Sequence, residues 1–532
     1  MESNLSCEER VDLAKALGNP HVHKDSSESE LTEQITQIVD HLSVLMGYLD
    51  EQFKPTADRL ALETSHGQIS FDLLAYFFKV GDVLYAYDDD YGLPFAFTVK
   101  KRWYRETSNG QVFAVTAVTN FWDGSDYETK EDILTIAEFE GTSEISEFPF
   151  KHLDSKMEKK LTARGRKYVA LAGVHYRRFR GDRVMIDRMA YNSEPRGYDR
   201  DISIEIPELV EEELHFLPPQ VYGFNLSAKK WQHFFVDEIE PVVFDEKAWD
   251  HLVLEPDVKT LIKGLVEVTK NENTSSRMIS DVISGKGGGL IAVLHGPPGT
   301  GKTLTAEAVA EILQRPLYMV GSTELSTLPS VLESKLQSIL KLATAWDAVL
   351  LIDEADVFLE QRSLHEVSSN SQMVLEGAEP GMYQLERNAL VSVALRVLEY
   401  HRGVLFLTTN RIKTFDEAFL SRFSIAISYP ELDQMGRFAV WSKFFELAGH
   451  KIVDNVEPGQ KNVIPRSELL ELAIKPFNGR TIKNLVRTAQ ALALSTNSSL
   501  GLTHVQTVVN AQEKFLEEFA HSKGQKRKFD EE

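Results

Sequence analysis

The hydrophobic pattern changes period along the chain. Leu31, Ile35, Ile38, Leu42, Leu45 and Leu49 recur at alternating spacings of four and three. That spacing sets them on one face of a helix. The seam suits a short coiled coil with a neighbour equally as well as a helix laid on its own domain. Residues 1–30 ahead of it are polar, with the run Ser26-Ser27-Glu28-Ser29-Glu30, and predict a disordered acidic terminus before a helical segment over 31–65. From about Gly67 to Asp245 the runs become alternating or aromatic: Phe95–Val99, Val112–Val118 and Ile133–Phe139 read as strands. Turn clusters such as Tyr87-Asp88-Asp89-Asp90-Tyr91-Gly92 separate them. The stretch 66–246 is therefore expected to be a β-rich or α+β domain. Asp88–Asp90 lack the spacing of a calcium loop and read as a solvated turn.

Further along, wholly apolar runs replace the alternation. Leu290–Leu294, Ala348–Ile352 and Val404–Leu407 predict strands buried on both faces, as in a parallel sheet. Each run ends in residues that carry chemistry. After the first comes Gly296-Pro297-Pro298-Gly299-Thr300-Gly301-Lys302-Thr303, then Leu304–Ala310, which reads as a helix. A strand, a glycine-rich turn and a helix N-terminus form a cradle for phosphate. The glycines let backbone N–H groups converge where a Cβ would clash. Lys302 reaches the β- and γ-phosphates and Thr303 offers a hydroxyl to Mg²⁺. The second run ends in Asp353-Glu354. Asp353 is expected to hold Mg²⁺ and Glu354 to polarise the attacking water. The third ends in Asn410, placed to orient that water, and Arg422 follows in Leu420-Ser421-Arg422-Phe423. Arg422 is a candidate arginine finger for a neighbour's γ-phosphate; the plainer reading is a surface ion pair.

These motifs, over roughly Asp281 to His521, resemble the AAA ATPases, the ring-forming branch of the P-loop fold. The resemblance implies an α/β P-loop AAA module, a parallel sheet with flanking helices, over 247–429. It also implies a small helical lid over 430–520, after which a charged tail is expected over 521–532. Gly296–Thr303 looks like Walker A, Asp353-Glu354 like Walker B, Asn410 like sensor 1 and Arg422 like the finger. Arg480, in Phe477-Asn478-Gly479-Arg480, lies where the lid places sensor 2. The implied nucleotide-binding set is Gly296, Pro297, Pro298, Gly299, Thr300, Gly301, Lys302, Thr303, Leu304 and Arg480. Lys302, Glu354, Asn410 and Arg422 are the catalytic set, Thr303 and Asp353 the metal set, and ATP and Mg²⁺ the ligands. The wording around Ala355–Glu360 and Glu386–Val393 is similar to a narrower, mostly fungal group in which an uncharacterised β-rich domain precedes one AAA module.

The chain departs from the family in two places. Peptide-threading members carry an aromatic–hydrophobic–glycine pore loop, whereas Ser326-Thr327-Leu328-Pro329-Ser330 has neither aromatic nor glycine. Many members also place two arginines before the finger's phenylalanine, and only Arg422 stands here. Ser363–Gln384 is a polar, serine-rich insert expected to be a mobile loop.

Composition narrows the function classes. The 532 residues are 42% hydrophobic and carry one cysteine, Cys7, which excludes a disulfide framework. No apolar run approaches ~18 residues, so no membrane span is expected. A net charge of −22 disfavours passive nucleic-acid binding. The basic cluster Arg164–Lys167 with Arg177–Arg180 either neutralises the chain's own carboxylates or meets an acidic partner. Lys526-Arg527-Lys528 resembles a minimal nuclear-import signal. The expectation is a soluble intracellular ATP hydrolase, cytoplasmic or nuclear. It would act as a homo-hexameric ring that remodels an unidentified protein client. The alternative is a nucleotide-switched scaffold with slow turnover; a metabolite kinase is disfavoured because Glu354 activates water.

Overall fold

The computed structural model describes residues 28–108, 110–193, 206–270, 289–326, 328–356, 380–398, 401, 403–411, 419, 421–454 and 462–529. The chain divides into two compact units. One comprises Met1–Phe121, Tyr127–Val169 and Glu208–Pro219; the other comprises Trp122–Asp126, Ala170–Pro207 and Gln220–Glu532. The stretch 66–246 supplies strands to both.

The first unit opens with a long helix, α1 (Glu28–Ser65). Its strands are β1 (Gln68–Ser70), β2 (Val83–Tyr87), β3 (Pro94–Thr107), β4 (Gly110–Trp122), β5 (Tyr127–Ala137), β6 (Thr142–Glu144) and β7 (Phe150–His152), followed by α2 (Ser155–Val169). The main sheet has the order β5-β4-β3-β2-β7. Alternation along β2 to β4 sends Leu84, Phe97, Phe113 and Val115 into one core with Phe78 and Phe150. Asp88 closes the turn between β2 and β3: its Oδ1 accepts from the backbone N–H of Asp90 at 3.0 Å and Tyr91 at 2.9 Å.

Four members of the basic cluster have partners within their own units. Arg164 is buried and donates to Pro94 O at 2.6 Å, and Arg166 pairs with Glu211. In the second unit Arg178 pairs with Glu240 and Arg180 with Glu238.

The second unit holds two sheets. β8 (Val174–Phe179), β9 (Asp182–Asp187), β10 (Gln220–Asn225), β11 (Lys230–Phe235) and β12 (Ile239–Glu240) pair in the order β11-β10-β9-β8-β12. After α3 (Pro256–Lys270) come β13 (Leu290–His295), α4 (Lys302–Leu313), β14 (Leu317–Gly321), α5 (Pro329–Ala345), β15 (Val349–Asp353), α6 (Pro380–Leu398), β16 (Val404–Thr409) and β17 (Ile425–Ser428). These five strands form a parallel sheet, β14-β15-β16-β13-β17. Their near-continuous apolar composition follows from helices covering both faces. The predicted parallel sheet with flanking helices is thus the observed fold, and a β-rich region precedes it.

The chain ends in α7 (Gln434–Leu447), α8 (Arg466–Ile474), α9 (Gly479–Ser495) and α10 (Leu502–Phe529). Trp441, Phe445, Leu469, Ile482 and Val505 give these helices a core of their own. No helix among the described residues is long and apolar enough to cross a membrane. The insert expected over Ser363–Gln384 lies outside the described residues up to 379, and α6 begins at Pro380. The expected disordered terminus lies outside them over 1–27; α1 already begins at Glu28.

The two sheets of this unit share one core. Met185, Phe224 and Leu226 of the antiparallel sheet pack among Tyr318, Leu336, Trp346 and Ala348. The Phe224 ring lies 5.7 Å from Tyr318 and 5.4 Å from Trp346. At this seam the Trp346 indole N–H donates to Asp187 Oδ2 at 2.9 Å, and Asp187 is 1% exposed. A buried carboxylate deprived of a donor keeps the cost of its desolvation. Trp346→Phe should therefore destabilise the second unit by about 1–3 kcal/mol, since one buried polar partner is lost while most of the ring volume is kept. Urea unfolding of the full chain checks this; an unchanged midpoint would mean the Trp346–Asp187 bond contributes nothing.

Candidate functional site

In an open parallel sheet, ligands meet the carboxyl ends of the strands where the strand order reverses. Here β13 lies between β16 and β17, so the loop after β13 sits at such an edge. Gly296, Gly299 and Gly301 adopt φ of +142°, +77° and +101°, a region L side chains rarely enter. Two of them also face walls. A Cβ on Gly296 would lie 2.0 Å from Tyr429 O, and one on Gly299 would lie 2.7 Å from the Asn478 side chain. The loop has glycine where the backbone is crowded and opens directly into α4, whose first N–H groups have no intrahelical acceptor.

Lys302 begins α4 and is buried. Its ammonium donates to Gly296 O and Pro297 O at 2.7 Å each and to Asn410 Oδ1 at 3.0 Å. Burial pushes the lysine below its ordinary range, Asp353 and Asp356 pull it back up, and Arg480 pushes it down. Burial, then Lys302, likewise lowers His295. Thr300 Oγ1 donates to Pro297 O at 2.9 Å. Thr303 is half-buried, and Pro298 and Leu304 are exposed.

The acidic strand tip is tied to the neighbouring strand by two buried threonines. Thr408 Oγ1 donates to Asp353 Oδ1 and accepts the Glu354 backbone N–H at 3.0 Å. Thr409 Oγ1 donates to Asp356 Oδ1. Glu354 has φ +54°, a left-handed conformation that turns the chain sharply after β15. Its exposed carboxylate stands 3.5 Å from Ser322 Oγ, just past β14.

The C-terminal helices reach the same loop. Asn478 caps α9, its Oδ1 accepting the Thr481 N–H at 2.9 Å. The Gly479 N–H donates to Gly299 O at 2.9 Å. Arg480, exposed in the first turn of α9, is thereby held close enough to act on the charge of Lys302.

Lys302, Asp353, Asn410 and Arg480, predicted from separate motifs, thus converge around one loop, with Glu354 on the adjacent strand tip. Arg422 follows a different course. It is half-buried beside β17, and its guanidinium donates to Ser421 Oγ at 3.3 Å. The run Phe415–Ala418 before it lies outside the described residues.

Several participants escaped the sequence reading. Thr408 and Thr409 stand between the apolar run Val404–Leu407 and Asn410, and Asp356 follows Asp353-Glu354; the polar ending of an otherwise apolar strand was their signal. Asn478 carried a helix-cap signal. Ser322 and Glu324 follow a strand whose run was too short to stand out. Lys229 pairs with Glu324 across 95 residues and had no local signature.

The residues fit a phosphate and a divalent cation. The loop supplies N–H groups and one cation, and Thr303 and Asp353 supply the hard oxygen atoms such a cation takes.

Residues 292–431 match the ATPase family associated with various cellular activities (AAA). Residues 59–155 match a domain of unknown function (DUF7025). The chain is 27% identical over 249 residues to an ATP-dependent zinc metalloprotease FtsH of Lachnoclostridium phytofermentans, covering 46% of this chain and 38% of that protein. It is 22% identical over 271 residues to an ATP-dependent zinc metalloprotease YME1 homolog of Caenorhabditis elegans, covering 50% of this chain and 32% of the relative. The matches thus span only about a third of these relatives' length. With the parallel sheet, they support a P-loop domain of the AAA type over residues 292–431.

The two loop glycines separate crowding from strain. Gly301→Ala meets no atom within 4 Å and bears only the unfavourable φ, whereas Gly296→Ala also drives a Cβ into Tyr429 O. Strain of this kind costs of order 1–3 kcal/mol, and overpacking adds a similar amount. Thermal unfolding should show the larger loss for Gly296→Ala; equal losses would contradict the packing of this loop against Tyr429.

Proposed function

We propose that this AAA-type domain hydrolyses ATP as part of a homo-oligomeric ring and uses the turnover to remodel a macromolecular partner. One observation carries the reading. A buried lysine, the carboxylates Asp353 and Asp356 beyond β15, an asparagine and a helix-borne arginine meet at a glycine loop at the carboxyl end of a parallel sheet. The relatives whose names state ATP dependence support the same direction. Their zinc protease activity is not carried over, since the sequence contains no His-Glu-x-x-His.

In this reading Lys302 leaves its carbonyl partners for the β- and γ-phosphates. Thr303 and Asp353 would hold a Mg²⁺, whose charge would neutralise the phosphate oxygens. Glu354 takes the proton of the attacking water, which Asn410 orients. Thr408 fixes the strand tip that presents both carboxylates. Arg480 on the lid reads the γ-phosphate from its own subunit, and Arg422 reads that of the next. ATP turnover then moves α9 against the loop through the Gly479–Gly299 contact.

Leu328 bears on the client. It is 55% exposed at the cap of α5, where threading relatives place an aromatic side chain. Leucine offers less flat area for grip than an aromatic ring. The reading is accordingly a remodeller of folded partners or interfaces, working in the cytoplasm or nucleus, in which the single cysteine fits a reducing compartment.

Mixed subunits test the mechanism. Glu354→Gln and Arg422→Ala should each bind ATP yet lose roughly 10²-fold or more in hydrolysis, the scale expected for a water-orienting base or an arginine finger. Mixing the two variants should restore phosphate release at interfaces that join an intact Glu354 to an intact Arg422. Mixed assemblies with no recovery would remove action between subunits. A turnover rate independent of protein concentration would favour the slow, nucleotide-switched scaffold.

A further inference from the structure

Helix α1 is anchored near its C-terminus, and among the described residues most apolar side chains from Val39 to Phe53 are exposed. Near its C-terminus Arg59 pairs with Asp72, Glu63 accepts from the Ser70 N–H and hydroxyl, and Leu60 packs on the first unit's core. Before Pro55 the helix is different. Leu42, Leu45, Leu49 and Phe53 are 41%, 50%, 37% and 50% exposed, and Val39 and Met46 are 41% and 56% exposed. The helix therefore does not lie on its own unit over this stretch. An isolated helix is marginal in water, more so with Gly47 in its interior, so this length of it needs a partner to be stable.

The sequence names the partner's chemistry. Two heptad seams overlap in the sequence of this helix. The first is Leu31, Ile35, Ile38, Leu42, Leu45 and Leu49; the second is Ile35, Val39, Leu42, Met46, Leu49 and Phe53. Both alternate four and three, the spacing that sets knobs against the holes of a like helix. They share Ile35, Leu42 and Leu49, so each helix offers a seam to a neighbour on either side. The positions flanking the shared residues on the other side, Gln34, His41 and Tyr48, carry no carboxylate or lysine to repel a copy of themselves. The carboxylates Glu33, Asp40, Asp50 and Glu51 lie off both seams. Residues 28–54 hold six acidic side chains and one lysine, which disfavours an anionic membrane or a nucleic acid as occupant.

We propose that residues 31–53 form a parallel, in-register coiled coil with the same segment of other copies of this chain. This contact stands apart from the nucleotide site. It would hold subunits together without ATP and keep the first units of neighbouring copies tethered.

Cys7 is the only cysteine, so site-directed crosslinking is clean. In a Cys7→Ser, Lys302→Ala background, assembly driven by nucleotide is switched off. There, Leu49→Cys should oxidise to a covalent dimer, because residue 49 meets its own counterpart in a parallel register. Val44→Cys, 74% exposed and off both seams, should give at most a tenth as much. Light scattering without nucleotide should read a multiple of 60.1 kDa, falling to the monomer for Leu42→Asp/Leu49→Asp. These substitutions touch neither unit's core, and unchanged thermal unfolding of both units verifies it. A monomer before substitution, equal crosslinking at 44 and 49, or an unchanged mass in the double variant would each overturn the proposal. So would co-sedimentation of a monomeric chain with phosphatidylcholine vesicles, which would assign the face to lipid.

Discussion

The ammonium of Lys302 fastens three separate stretches of chain: the start of α4, the carbonyls of Gly296 and Pro297, and Asn410 at the end of β16. A buried cation must be paired, and here its partners are two carbonyls and an amide rather than a carboxylate. That arrangement leaves the charge strongly held yet exchangeable. A phosphate brought into the loop offers charged oxygen atoms in place of neutral ones, and charge-assisted bonds are roughly twice as strong as neutral ones. The rest of the site follows from this constraint. Asn410 must stand within reach of Lys302, so β16 must lie next to β13. The acidic strand β15 is then its other neighbour, and Thr408 locks the two tips together.

The same unit carries an antiparallel sheet that shares a core with the P-loop sheet rather than standing apart from it. Phe224 packs on Trp346, Arg183 pairs with Glu311 at 2.5 Å on α4, and Lys229 pairs with Glu324 beside Ser322. Gly321 N donates to Glu324 Oε1 at 2.8 Å, and Ser322 in turn stands by Glu354. The hairpin between β10 and β11 is thus joined by short polar contacts to the strand end that faces the Glu354 carboxylate. A displacement at one end of this chain of contacts has a direct physical route to the other.

What was legible in the sequence had local causes. A buried parallel strand needs an unbroken apolar run, and Leu290–Leu294 and Val349–Ile352 showed it. A phosphate loop needs glycines at fixed offsets, and Gly296, Gly299 and Gly301 all adopt positive φ. Asn410 was found because it ends an apolar run. Contacts set by tertiary packing were not legible. Lys229 and Glu324 lie far apart in sequence, and neither has a neighbour that announces the pair. The affiliation of β8 to β12 was hidden for the same reason. Their alternating pattern describes a half-buried sheet but not what covers it, and the cover proved to be Tyr318, Trp346 and α5. The seam on α1 was visible at once, whereas its exposure could only come from the structure.

The most direct test of the account is the affinity of Lys302→Ala for a fluorescent ATP analogue, measured beside the unsubstituted chain. With the loop's side-chain cation gone, binding should weaken by at least tenfold, the scale of one charge-assisted contact worth about 1.5–3 kcal/mol. Far-UV circular dichroism should remain unchanged, since alanine retains the helix. Equal affinity in a folded Lys302→Ala chain would mean that the glycine loop does not hold the nucleotide phosphates, and the functional account would fail with it.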